Sequence, residues 1–141
     1  MKKFQNNVIG YGVNDAVMVA EKLLMPESKM LKEFREKNDW KYNSGNGEQV
    51  YEKIISCTSI VPIFTYRPKW IFTKAVGYFD GQNIHINLRK IENLTTINLV
   101  ALLVHEWLHA AGFSHGNNYQ TDDKNKYSVN YYASENIGKW I

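Results

Sequence analysis

The sequence predicts a single α+β domain. Three observations carry this: apolar residues at helical spacing through the first third, a stretch from Ile60 rich in β-branched and aromatic residues, and one long apolar helix after it. At 141 residues the chain can bury one real core and is too short for two comfortable domains. A hydrophobic fraction of 44% and an aromatic fraction of 13% suit a folded protein and argue against disorder.

Residues 14–25, NDAVMVAEKLLM, open on Asn14 or Asp15 as a cap and place Ala16, Val17, Ala20, Leu23 and Leu24 at helical spacing. Pro26 ends or kinks this helix, and ESKMLKEFREK (27–37) reads as a second, more exposed one. NSGNG (43–47) is a loop by its turn residues, and EQVYEKIISC (48–57) is a short amphipathic helix. IVPIFTYR, WIFTKAVGYF and NIHINL then read as strands, with FDGQN (79–83) as a hairpin turn. In the last of these, Ile84 and Ile86 point to one face and Asn83, His85 and Asn87 to the other. His85 is therefore read as an exposed polar position on a half-buried strand, with metal ligation as the alternative.

LTTINLVALLVHEWLHAAG runs from a Thr95 or Thr96 cap to Gly112, which can adopt the left-handed conformation that ends a helix. Its first two turns are apolar nearly all round, which predicts the central buried helix. HGNNYQTDDKNK (115–126) is a long polar loop, and the aromatic tail YSVNYYASENIGKWI is expected to fold back as a final helix.

Charge and cysteine content limit the functional classes. The 17 basic and 14 acidic side chains give a net charge of +3, and the longest lysine run is Lys2-Lys3. No basic stripe follows from the linear sequence, so no nucleic-acid partner is expected from composition. Cys57, the single cysteine, has no disulfide partner within the chain and reads as a small buried residue rather than a nucleophile. The two N-terminal lysines have no apolar run behind them, and LVALLV (99–104) is too short to span a bilayer. The expectation is a monomer in the cytoplasm with no membrane partner, although a removed leader or another export route would leave the same sequence.

The chemistry concentrates in HEWLHAAGFSH, residues 105–115. His105 and His109 stand four apart, so on a helix both rings project from one face. Two imidazoles so placed can share one Zn²⁺ at bond lengths of about 2.0–2.1 Å, and a catalytic zinc needs a third protein ligand and an open position. Gly112 lets the chain turn out of the helix so that His115 can swing back as that third ligand. Glu106, beside the first ligand, is placed to take a proton from a zinc-bound water and return it to a leaving amine. Five matched positions make the pattern specific, since a random chain of this length carries it at odds on the order of 10⁻⁴ or less. The competing explanation is three core histidines satisfied by hydrogen bonds.

His105, Glu106, His109, Gly112 and His115 match the HExxHxxGxxH zinc signature of the metzincin peptidases, and residues 75–115 resemble the matrix-metalloproteinase order of edge strand, hairpin, strand and active-site helix. The resemblance implies a zincin-like fold, with a mixed twisted sheet and an antiparallel edge strand packed on the active-site helix. It also implies an upper subdomain of residues 1–112, a small lower subdomain of residues 113–141 and one catalytic Zn²⁺. Peptide or protein would be the substrate, bound by strand addition along Gly77, Tyr78 and Phe79. The family's methionine turn is matched only by SVNYY (128–132), with Asn130 in the methionine place. On that alignment Tyr132 stands near the metal as a ligand or oxyanion stabiliser; the alternative has it packing the C-terminal helix. With no cysteine-switch segment in the sequence, any latency is expected to come from elsewhere.

The leading expectation is a zinc endopeptidase. A second is a zinc endoribonuclease of the HxxxHxxGxxH type, which resembles this chain in size and histidine spacing. Those enzymes normally lack the glutamate and carry an aspartate where this chain has Ser114. A third is an inactive zinc module that binds peptides.

Overall fold

The computed structural model describes residues 2–70, 74–116 and 126–141. Within them the fold is α+β, with one open mixed sheet of four strands and five α-helices. The strands are β1 (Phe4–Asn6), β2 (Val61–Tyr66), β3 (Gly77–Phe79) and β4 (Ile84–Asn87), in the spatial order β1-β2-β4-β3. β1 and β4 both run parallel to β2, and β3 pairs antiparallel with β4, leaving β3 as one edge of the sheet.

The helices are α1 (Val13–Leu23), α2 (Lys29–Glu36), α3 (Gly47–Ser56), α4 (Thr96–Ala110) and α5 (Val129–Trp140). α4 packs on β3, β4, α1 and α5, so it is the central element. Its inward side buries Leu99, Val100, Leu103, Val104, Trp107 and Leu108 against Ile63, Ile84 and Ile86 of the sheet. These large apolar side chains, each worth about 1.5–3 kcal/mol when removed from water, explain why the chain's most apolar segment becomes its core.

Most elements fall where their patterns place them, and the differences have physical reasons. β1 is not predicted, because three residues between lysines and asparagines carry no periodicity. It exists through its pairing with β2 and because the Lys3 stem is buried, its amine donating to the Cys57 carbonyl (3.1 Å) above the Trp107 ring. Cys57 itself is half-buried, with its thiol free.

α1 is capped not by Asn14 or Asp15 but by Gly12 in the left-handed region, while Asn14 accepts from Asn6. α2 is less exposed than expected, since Met30, Leu31 and Phe34 are fully buried. The strand expected over 70–79 is formed only at 77–79, and residues 71–73 of it lie outside the described residues, as does 117–125 of the polar loop. Asn87 is buried rather than outward, because its side-chain amide donates to Ala75 O (3.0 Å).

No helix among the described residues is long and apolar enough to cross a membrane.

Candidate metal centre

α4 begins with Thr95, whose side chain accepts from the Asn98 N–H (3.1 Å), and ends at Gly112. There Gly112 has φ +98°, its N–H donates to His109 O (2.9 Å), and the Phe113 N–H donates to Leu108 O (3.0 Å). These are the two bonds of a Schellman motif, and they reverse the chain within three residues. An L side chain at this φ is strained by about 1–2 kcal/mol. Gly112→Ala should therefore lower the thermal midpoint by several degrees; a midpoint equal to wild type would show that the turn does not need its left-handed residue.

The reversal brings His115 back over α4. One ring nitrogen from each of His105, His109 and His115 lies within 4.8 Å of the other two, and Nε2 of His115 stands 3.1 Å from Nε2 of both helical histidines. No other group of three or more such side chains occurs among the described residues. The second nitrogens explain the arrangement. His109 Nδ1 donates to Phe113 O (2.9 Å), and His115 Nδ1 donates to Gly116 O (2.8 Å). A carbonyl oxygen only accepts, so in His109 and His115 Nδ1 carries the proton and Nε2 presents a lone pair. Burial first, then the neighbouring rings, lowers the His105 pKa to about 3, and His109 is lowered in the same way, so further protonation is disfavoured. Imidazole nitrogens gathered this closely, with protonation disfavoured, form a donor set suited to a cation. The cluster can hold a metal ion.

Glu106 is 7% exposed, with a carboxylate oxygen 4.0 Å from His105 Nε2. Burial pushes its carboxyl up to about 7, and a hydrogen bond from the Phe79 backbone acts in the opposite direction. The Glu106 carboxyl thus lies between the histidines and the edge strand. Gly77, Tyr78 and Phe79 are the whole of β3. A side chain at position 77 would press on His85 O (2.7 Å) and the Leu102 methyls (3.0 Å), so the glycine sets how closely β3 approaches α4. The Tyr78 ring lies on the opposite face of the sheet, stacked on His85 at 4.8 Å. His85 bonds Asp80 there (2.7 Å) and takes no part in the histidine cluster.

Asn130 lies under the cluster. Its amide donates to His105 O (3.2 Å), and its own side-chain oxygen is buried without a hydrogen-bond partner. SVNYY is not a free-standing turn here but the start of α5, with Ser128 capping the helix through the Tyr131 N–H (3.1 Å).

The two tyrosines of this first turn face different ways. Tyr131 has its ring centroid 4.7 Å from His105 and 4.4 Å from His115. Tyr132, one residue on and about 100° around the helix, points away from them. Its hydroxyl donates to Glu33, and its ring packs among Phe34, Trp40 and Trp140. Tyr131 was not among the residues expected from sequence. The signal that could have found it is the burial stripe Val129, Asn130, Ala133 and Ile137, readable only once Ser128 is known to be the cap.

Two cavities flank the histidines along β3. One, of about 420 Å³, is lined by Val76, Gly77, Leu94, Ala101, Leu102 and Tyr131, with His105 and Glu106 in its wall. The other, of about 380 Å³, lies by Phe79, Gln82 and His109. Compared with protein-family models, curated proteins and solved structures, the chain matches none.

Proposed function

We propose that this protein is a zinc-dependent endopeptidase of minimal, metzincin-like build. The observation that carries the reading is the convergence of three imidazoles, two of them held by a backbone carbonyl behind the ring, with buried Glu106 beside them. Three neutral imidazoles and an open side favour zinc among the common divalent ions. When bound, zinc supplies Lewis acidity toward the attacked carbonyl and lowers the cost of ionising a water. The free edge of β3 takes an extended peptide by main-chain hydrogen bonds, and the 420 Å³ cavity accepts an apolar side chain next to the scissile bond. Glu106 accepts a proton from the attacking water and delivers it to the leaving amine nitrogen.

The hydroxyl that assists the developing oxyanion is assigned to Tyr131 in place of Tyr132. Tyr131→Phe is expected to lower turnover by about 10-fold or more with metal content unchanged. Tyr132→Phe should leave turnover near wild type and cost about 1–2 kcal/mol of stability, because Glu33 loses a donor. The reverse ranking in turnover would return the role to Tyr132.

The direct test is on wild-type protein. Bound metal is measured by mass spectrometry, and cleavage of a casein-type protein and of structured RNA is followed with and without a chelator. Chelator-sensitive proteolysis supports the reading. RNA cleavage without proteolysis would replace it with a nuclease.

A further inference from the structure

The two ends of the cleft differ in charge. Three hydrogen bonds gather the end of β2, the chain entering β3 and the chain leaving β4: Leu88 N–H to Tyr66 O (2.8 Å), Asn87 N–H to Val76 O (2.8 Å) and the Asn87 amide to Ala75 O (3.0 Å). Next to these bonds stand Arg67 and Lys69, Lys74, and Arg89 and Lys90. The first four are exposed and Lys90 is half-buried. None of the five side chains has an ion-pair partner among the described residues. The only carboxylate in the same segments is Glu92. This cationic rim adjoins the 420 Å³ cavity, because Val76 and Gly77 line that cavity directly.

The other end is different. Beyond Phe79 the first charge is Asp80, whose carboxylate already accepts from the Gln82 and Asn83 N–H groups and from His85. The 380 Å³ cavity at that end has no lysine or arginine in its lining. Among the described residues, a peptide lying along β3 therefore meets five unpaired cations at the Val76 end, whereas at the other end the Lys53 amine is engaged by Gly112 O (3.1 Å).

We infer that the cleft selects acidic substrates: an apolar side chain in the cavity beside His105, with Asp or Glu at the next few positions toward the Val76 end. At about 3.3 Å per residue of extended peptide, Lys74 lies roughly 10 Å along from Gly77, so the second to fourth residues past the cavity come under the rim. Unpaired surface cations act chiefly on capture and register, and each such contact is worth about 2- to 5-fold at low salt. This inference rests on the peptidase reading and adds the substrate class to it.

The test uses matched fluorogenic peptides that differ only in having Asp/Glu, Ser/Gln or Lys on one side of a single apolar residue, made with the charged run on either side. On one of the two sides, the acidic peptide should have a KM about 10-fold below that of the neutral one, with kcat within 2- to 3-fold. The advantage should shrink at high salt, because surface charges are screened. In a Lys74→Gln/Arg89→Gln double variant most of it should vanish while the neutral peptide is cleaved as by wild type. Equal KM for acidic, neutral and basic peptides overturns the inference, as does a preference unaltered in that variant. Anisotropy of the same labelled peptides on Glu106→Gln protein reads the charge preference without turnover. A charge preference in binding with no cleavage of any peptide by wild type removes the peptidase reading alone. Equal binding of all peptides removes this inference.

Discussion

Glu106→Gln is expected to keep the metal and the fold while losing most of the peptide-hydrolysing rate, about 10²–10⁴-fold and more if one group serves both proton transfers. Glutamine preserves the size of the side chain and can still meet the Phe79 backbone, but it has no carboxylate to take a proton from water. The fold should tolerate the change readily. Glu106 is 7% exposed and burial already pushes its carboxyl up to about 7, so a neutral side chain relieves a desolvation cost rather than adding one. The variant should accordingly melt at or above the wild-type temperature. Metal content, melting and cleavage are measured on both proteins together. Proteolysis that persists at more than about a tenth of the wild-type rate would falsify the role given to Glu106. RNA cleavage that survives the substitution, with no proteolysis in wild type, would favour the nuclease.

The second large effect belongs to the metal. His109→Ala removes one of three converging imidazole nitrogens and also the Nδ1 bond to Phe113 O that ties the helix to its reversal. About one equivalent of zinc should be lost. Wild type gains stability from a ligand that binds only the folded state, about 2.7–4.1 kcal/mol when free metal is 100- to 1,000-fold above Kd. A chelator should thus lower the wild-type melting temperature and leave that of His109→Ala unchanged. The variant with zinc should melt close to chelator-treated wild type, lower only by the lost hydrogen bond. Full zinc occupancy in His109→Ala, or a wild-type melt indifferent to chelation, would mean that the three histidines are not the metal site.

The Glu33 clasp shows how the C-terminal helix is held. Burial alone would raise the Glu33 carboxyl, yet hydrogen bonds from Tyr132, Lys139 (3.0 Å) and Trp140 (3.4 Å) hold it below the ordinary carboxylate range. A carboxyl depressed in the folded state contributes stability above its unfolded pKa and loses it as pH falls through the folded value. Attachment of α5, and with it the support that Asn130 gives His105, should weaken below about pH 4, the ordinary carboxylate range. Glu33→Gln should flatten that part of the melting-temperature profile; an unaltered acid limb would show that the clasp carries no such linkage.

What the sequence by itself determined is the part governed by short-range geometry. The four-residue spacing of His105 and His109, a threonine cap at 95 or 96, the left-handed Gly112 and the return of His115 all lie within 21 consecutive positions, where helical pitch and a helix stop decide direction. The outward side of His85 followed likewise from strand alternation.

Only the tertiary structure decided what depends on distant chain. Which of Tyr131 and Tyr132 faces the histidines turns on a packing partner 99 residues away, Glu33, which captures Tyr132. β1 became a strand because β2 was there to pair with it, and Asn130 met His105 only when α5 packed on α4. The cationic rim is invisible in the linear sequence, where its members stand singly between residues 67 and 90. They gather only when the sheet hydrogen bonds draw three chain segments to one end. Long-range hydrogen bonds and burial chose among local options that short-range sequence did not distinguish, and those choices place the residues around the histidine cluster.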